Sequence, residues 1–132
     1  AAEVESLPGV SMFRYDEAER NNFQYIVFEV DEAVAGLSCD QLVEVLWADN
    51  VKARRYFYPG CHRMEPYRTL YPDAGSRLPV TEALTNRTLL LPNGQVVGSD
   101  EIGAVCAIIR TAIENSKSVC ERLALLATNK HE

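Results

Sequence analysis

Gln24-Tyr-Ile-Val-Phe-Glu-Val30 and Ser38-Cys-Asp-Gln-Leu-Val-Glu-Val-Leu-Trp-Ala-Asp49 together decide the fold class. The first is dense in β-branched and aromatic residues, the composition that suits a pleated, half-buried strand. The second opens as a capping box: the Ser38 hydroxyl is free to accept from the Gln41 backbone N–H, and the Gln41 side chain can reach back. Leu42, Val45 and Leu46 follow at helical spacing, with Val43 and Trp47 widening the apolar face, so the pattern predicts a helix over about 39–49. Asp31 to Leu37, which contains Gly36, makes the turn between strand and helix.

Beyond this pair, Val51 to Tyr58 reads as a second strand, stopped by Pro59-Gly60. Cys61 to Leu78 lacks sustained periodicity and holds Pro66, Pro72 and Gly75, and a connection of that length in a compact domain is more often functional than decorative. Pro79 suits a first helical position and predicts a short helix over Val80 to Thr85. Arg87 to Leu91 is a third strand, closed by the turn residues Pro92-Asn-Gly94. Ser99 as N-cap, with Asp100 and Glu101 at the positive end of the dipole, starts a helix whose apolar positions Ile102, Val105, Cys106, Ile109 and Ile113 share one face. A helical tail, Val119 to Ala127, follows a break at Asn115-Ser116. Residues 1 to 22, with Pro8, Gly9 and the Asp16-Glu-Ala-Glu19 run, read as an irregular, solvated lead-in. The expected class is α+β, a small mixed or antiparallel sheet with helices packed on it. Its expected organisation is a lead-in over 1–22, an α+β domain over 23–114 and a C-terminal helical tail over 115–132.

The 132 residues, 47% hydrophobic and 24% charged, describe one globular domain. A chain of this length buries roughly two thirds of its unfolded surface, so neither a disulfide nor a metal is needed for it to fold. No apolar run approaches the ~20 residues of a membrane span. The start, Ala1-Ala-Glu-Val-Glu-Ser, lacks the basic and apolar regions of a signal peptide, which points to the cytoplasm. Without an initiator Met, Ala1 reads as a processed or truncated end. The cysteines Cys39, Cys61, Cys106 and Cys120 have no zinc spacing and read as reduced thiols, most of them small buried hydrophobes.

Charge is uneven within a net of -6: residues 1–49 balance at -9, whereas residues 51–68 stand at +4. An acidic protein with one basic segment lacks the broad positive face that nucleic acid needs, and suits one small anion better. That segment, Lys52-Ala-Arg-Arg-Tyr-Phe-Tyr-Pro-Gly-Cys-His-Arg-Met-Glu-Pro-Tyr67, also gathers the aromatics. On a continuous strand Arg54, Tyr56 and Tyr58 point one way and Arg55 and Phe57 the other, giving a guanidinium and two phenols suited to phosphate or carboxylate. The plainer reading has both arginines solvated or paired with the acidic first helix. His62, after the Pro-Gly turn, suits a proton shuttle or an anion hydrogen-bond donor, or is satisfied within its loop. Cys61 beside His62 has no third group to make a nucleophile-base pair.

Phe23-Gln-Tyr25 opening a strand, Val51-Lys-Ala-Arg-Arg-Tyr-Phe-Tyr-Pro-Gly-Cys-His62 followed by Pro66-Tyr67, Leu78-Pro-Val-Thr-Glu82, Leu90-Leu-Pro92 and the Ile102-to-Ile113 helix form an ordered set. From about Leu7 to Ile113 this set resembles the C-terminal part of the DegT/DnrJ/StrS family of sugar aminotransferases, which depend on pyridoxal 5'-phosphate (PLP). The resemblance implies the small domain of a fold-type I PLP-dependent transferase. In the parent protein it implies amino transfer from an amino acid such as glutamate to a keto-sugar nucleotide, with a homodimer and a large N-terminal domain as partners. Tyr58-Pro59 and His62 match the family's tyrosine-proline-x-x-histidine segment, which approaches the active site. Arg54, Arg55 and Tyr56 lead into it, and Tyr25 matches a position near the substrate. Gly60-Cys61 departs from the bulkier residues common there.

The family's cofactor lysine, the aspartate facing the pyridine nitrogen and the phosphate cup belong to the large domain. Lys52, Lys117 and Lys130, the only lysines, sit in no matching motif. The resemblance therefore implies a chain inactive alone, with no catalytic residue and no PLP of its own. Two alternatives stay open: a free-standing, non-catalytic module that binds an anionic ligand or a protein, and the same domain of a PLP-dependent sugar dehydratase.

Overall fold

Val10–Met12 (β1) pairs antiparallel with Ile26–Val30 (β2), Val10 opposite Val30 and Met12 opposite Phe28. The computed structural model describes Val4 and residues 6–94 and 97–128. The reading of residues 1–22 as irregular and solvated is corrected here, since β1 lies inside that stretch and Val4, Leu7 and Val10 are buried in the core. Three residues hold too few alternations to announce a strand. Gly9 admits it to the sheet: at φ 74° its missing Cβ leaves room for the Ala35 backbone, whose nitrogen would lie 2.3 Å from a Cβ there. β2 begins two residues later than Gln24, because Phe23 takes a left-handed φ of 49° and the Asn93 side-chain amide donates to the Phe23 and Gln24 carbonyls.

Asp31 caps Glu32–Ala35 (α1), which ends at Gly36. Cys39–Ala48 (α2) starts at the expected capping box, with Gln41 N–H donating to Ser38 Oγ (3.2 Å) and Ser38 N–H to Gln41 Oε1 (2.8 Å). The second strand is shorter than the sequence pattern suggests. It spans only Arg54–Arg55 (β3), because a tight turn from Ala53 N–H to Val51 O precedes it and Phe57, at φ 49°, breaks the extended backbone after it.

The Cys61–Leu78 stretch, expected to lack structure of its own, folds into short turns: a 3₁₀ turn at Cys61–Arg63, then Tyr67–Leu70 (α3) and Ala74–Arg77 (α4). Each is too short to show a helical period. Pro79–Arg87 (α5) runs directly into Thr88–Leu91 (β4). Ser99–Glu114 (α6) starts one residue early relative to the expected cap. Gly98 holds the N-cap place, and its N–H donates to Glu101 Oε2 at 2.8 Å. Ser116–Thr128 (α7) closes the described chain.

Among the described residues four strands lie in the order β1-β2-β4-β3 with every pairing antiparallel, so the fold is α+β and this sheet is antiparallel. Phe28, Val30 and Leu89 point from the sheet at Leu42 and Leu46 of α2 and at Ile109, Ala112 and Ile113 of α6. Each large side chain fully buried there contributes about 1.5–3 kcal/mol of apolar transfer. Arg55 lies opposite Leu89 and shares its face, while Arg54, opposite Leu90, shares the other with Val27 and Thr88. No residue from 61 to 84 is buried.

Candidate functional site

The six side chains singled out in the sequence divide into three groups. The first gathers Arg54, Tyr56 and Tyr25, with Arg54 on the sheet face turned away from α2 and α6. Arg54 is exposed there and makes no ion pair among the described residues. Tyr56 continues the β3 ladder through its N–H to Thr88 O, and its ring lies 5.9 Å from that of Tyr25 and 4.1 Å from that of Phe57. An exposed guanidinium two positions along the chain from Tyr56, whose ring meets Tyr25, can receive an anion while the rings offer a flat face.

The second group is Arg55 with Tyr58. Continuous strand alternation predicts Tyr58 beside Arg54 and Tyr56, and the structure corrects this. The left-handed Phe57 reverses the alternation, and the Arg55 guanidinium carbon sits 4.4 Å from the Tyr58 ring centroid. The Arg55 side chain is only 11% exposed; it pairs with Asp40 on α2 and donates to Thr85 O at 2.5 Å. This is the pairing with the acidic first helix that the plainer reading anticipates, and it leaves Arg55 committed within the chain.

His62 forms the third. Its Nε2 lies 2.5 Å from Glu82 Oε1, and its side chain is 8% exposed. Glu82 also takes a two-point contact from Arg63, Nε at 2.7 Å and an Nη at 2.5 Å. The Arg63 guanidinium first, then the His62 ring, hold the Glu82 carboxyl down at about 2. Glu65 is likewise lowered, by the Thr69 hydroxyl and Arg68. A cavity of about 470 Å³ opens here, lined by Pro59, His62, Arg63, Arg68, Pro72 and Gly75. A larger, mostly apolar cavity of about 690 Å³ lies between the β1–β2 connection and α6, with Phe13, Tyr15, Phe23, Ile102 and Cys106 in its walls; of the six residues only Tyr25 borders it.

Glu82, Asp40 and Thr85 are partners of these side chains that the sequence reading does not single out. Glu82 stands in the first turn of a helix opened by Pro79, but its partners are 19 and 20 positions away, beyond any local period. Burial pushes the Cys39 thiol up to about 11, whereas Cys61 is exposed. Among the described residues no group of three or more His, Cys, Asp or Glu could hold a metal ion, and no helix is long and apolar enough to cross a membrane. Of the lysines, Lys52 is exposed over the Trp47 ring and Lys117 is exposed on α7, neither lines either of these two cavities, and Lys130 lies outside the described residues.

A family model, that of the DegT/DnrJ/EryC1/StrS aminotransferases, matches residues 1–110. The dTDP-4-amino-4,6-dideoxy-D-glucose transaminase of Escherichia coli is 29% identical over 89 residues, 67% of this chain and 24% of that protein. A crystal structure of DesI in the presence of its TDP-sugar product is similar with a TM-score of 0.84 at 40% identity, over 93% of this chain and 31% of DesI. The chain thus spans between a quarter and a third of these relatives' length.

Proposed function

Because the chain belongs to the DegT/DnrJ/EryC1/StrS aminotransferase family, we propose that it is the C-terminal small domain of a PLP-dependent sugar-nucleotide aminotransferase. The observation that carries this reading is the match of nearly the whole chain to less than a third of DesI. An amino acid such as glutamate supplies the amino group, and a keto-sugar nucleotide receives it. Both relatives are named with thymidine-diphosphate sugars, which makes a dTDP-linked keto-sugar the first substrate class to try.

In this reading PLP, the electron sink for amino transfer, is held by a large N-terminal domain, and the assembly is a cytoplasmic homodimer. The small domain positions substrate. Arg54 with Tyr25 and Tyr56 offers the one arrangement among the six residues in which a guanidinium remains uncommitted, so it is assigned the anionic part of the nucleotide. The Tyr58–His62 loop is assigned the sugar side. Alone, the chain is inactive.

The test is amino transfer from glutamate to a dTDP-4-keto-6-deoxy sugar, measured for a protein of the relatives' full length and for this chain alone. Transfer by the longer protein only is expected. The reading fails if the longer protein makes no amino sugar, or if this chain alone retains PLP after borohydride reduction.

A further inference from the structure

His62 makes its contact to Glu82 through Nε2, and Glu82 is simultaneously held at both oxygens by Arg63. An ionised carboxylate offers only acceptors, so the proton in the His62–Glu82 contact belongs to the imidazole. A neutral imidazole with its hydrogen on Nε2 has a bare lone pair on Nδ1, which can only accept. No described residue partners Nδ1, and the Nδ1–Cε1 edge of the ring packs close on Gly60, where a Cβ would stand 3.0 Å from Nδ1 and 2.8 Å from Cε1. The side chain lines the 470 Å³ cavity. The two arginines in that wall are each matched by a carboxylate, Arg63 by Glu82 and Arg68 by Glu65. The cavity therefore presents little net positive charge to a ligand.

We propose that Glu82 is a positioning residue that sets the neutral His62 ring as a hydrogen-bond acceptor at this cavity, so that with the ring neutral the cavity takes a hydroxyl donor of a sugar ring and not a phosphate. This is the opposite polarity to one of the sequence-based alternatives, in which His62 suits a proton shuttle or an anion hydrogen-bond donor, or is satisfied within its loop. The assignment of a sugar hydroxyl rests on the sugar-nucleotide reading, whereas the polarity of His62 does not. It also divides the labour between the two sides of β3: anion recognition falls to Arg54, and hydroxyl recognition to the loop that Glu82 holds.

The experiment is long-range ¹H–¹⁵N correlation of the histidine rings in this chain at about pH 8.5. There are two histidines, His62 and His131, and His131→Gln assigns them. A single Nε2–H tautomer is expected for His62, becoming a mixture in Glu82→Gln, whose amide can donate or accept. An Nδ1–H ring in the unmutated chain, or the same tautomer ratio in Glu82→Gln, overturns the proposal. Methyl glucoside at saturating concentration is expected to shift Nδ1, and inorganic phosphate to leave it unmoved; a phosphate shift, or no glucoside shift, counts against it. Amino transfer by the full-length protein is scored separately. Transfer with an Nδ1–H ring removes the polarity alone, and an Nε2–H ring without transfer removes the aminotransferase reading alone.

Discussion

The Arg55 guanidinium lies under the Tyr58 ring, 4.4 Å from its centroid, although three positions on a continuous strand would send these side chains to opposite faces. One left-handed residue, Phe57, brings them together. The same side chain ties α2 through Asp40 and the end of α5 through Thr85 O, so one guanidinium joins three elements at the sheet edge.

Replacing Arg55 with Met keeps much of the apolar stem but removes the charged hydrogen bonds and the stacking cation. A loss of about 2 kcal/mol is expected, in line with a charge-assisted hydrogen bond left without its donor. The midpoint of urea unfolding measures it. Lys at this position should recover little, because an ammonium lacks the planar fork that reaches Asp40 and Thr85 together.

Acid should act through Glu82. Its folded carboxyl sits at about 2, below the ordinary 4.5, so its contribution to stability is fully present above pH 4.5 and is lost as pH falls toward 2. Unfolding midpoints measured across that window should fall in the unmutated chain and fall less steeply in Glu82→Gln. Parallel curves would rule out Glu82 as a source of the acid sensitivity.

Thiol chemistry should separate the cysteines. Cys39 is buried, with a thiol pushed up to about 11, so it stays protonated and shielded at pH 8. Cys61 is exposed. In an Ellman titration Cys61 should react first and Cys39 only on unfolding; Cys61→Ser should remove the fast phase.

Gly9→Ala should destabilise the fold although Gly9 lies in the stretch that reads as a lead-in. Its left-handed φ and the 2.3 Å approach of Ala35 N to the new Cβ leave no unstrained alternative. The cost expected for such strain is about 1–3 kcal/mol, read by thermal unfolding.

Arg54→Ala separates function from stability. The side chain is exposed and unpaired among the described residues, so stability should move by less than about 0.5 kcal/mol. In the full-length protein the same change should raise KM for the sugar nucleotide about tenfold or more, the size of one lost charge-assisted hydrogen bond. An unchanged KM would remove Arg54 from the site.

Periodicity made α2 and α6 legible in the sequence, because Leu42, Leu46, Ile109 and Ile113 repeat at the spacing that burial demands. The capping box at Ser38 was legible for the same local reason. β1 was not, being a three-residue strand that exists only because β2 lies beside it and Gly9 clears Ala35. Nor was the end of β3, where the φ of one phenylalanine decides which side chains meet. Of the candidate site, the residue types were visible in the Lys52–Tyr67 stretch, but their partners were not. Asp40, Thr85 and Glu82 lie 15, 30 and 20 positions from the side chains they hold, and distance of that kind is set by topology.

The chain holds a single tryptophan. Trp47 Nε1 donates to Ala53 O at 2.6 Å, at the entrance to β3, with Lys52 Nζ 5.0 Å from the ring centroid. That indole is a built-in fluorophore placed where the helix meets the sheet edge. Its emission reports, without any label, whether the segment leading into the candidate site is docked or released.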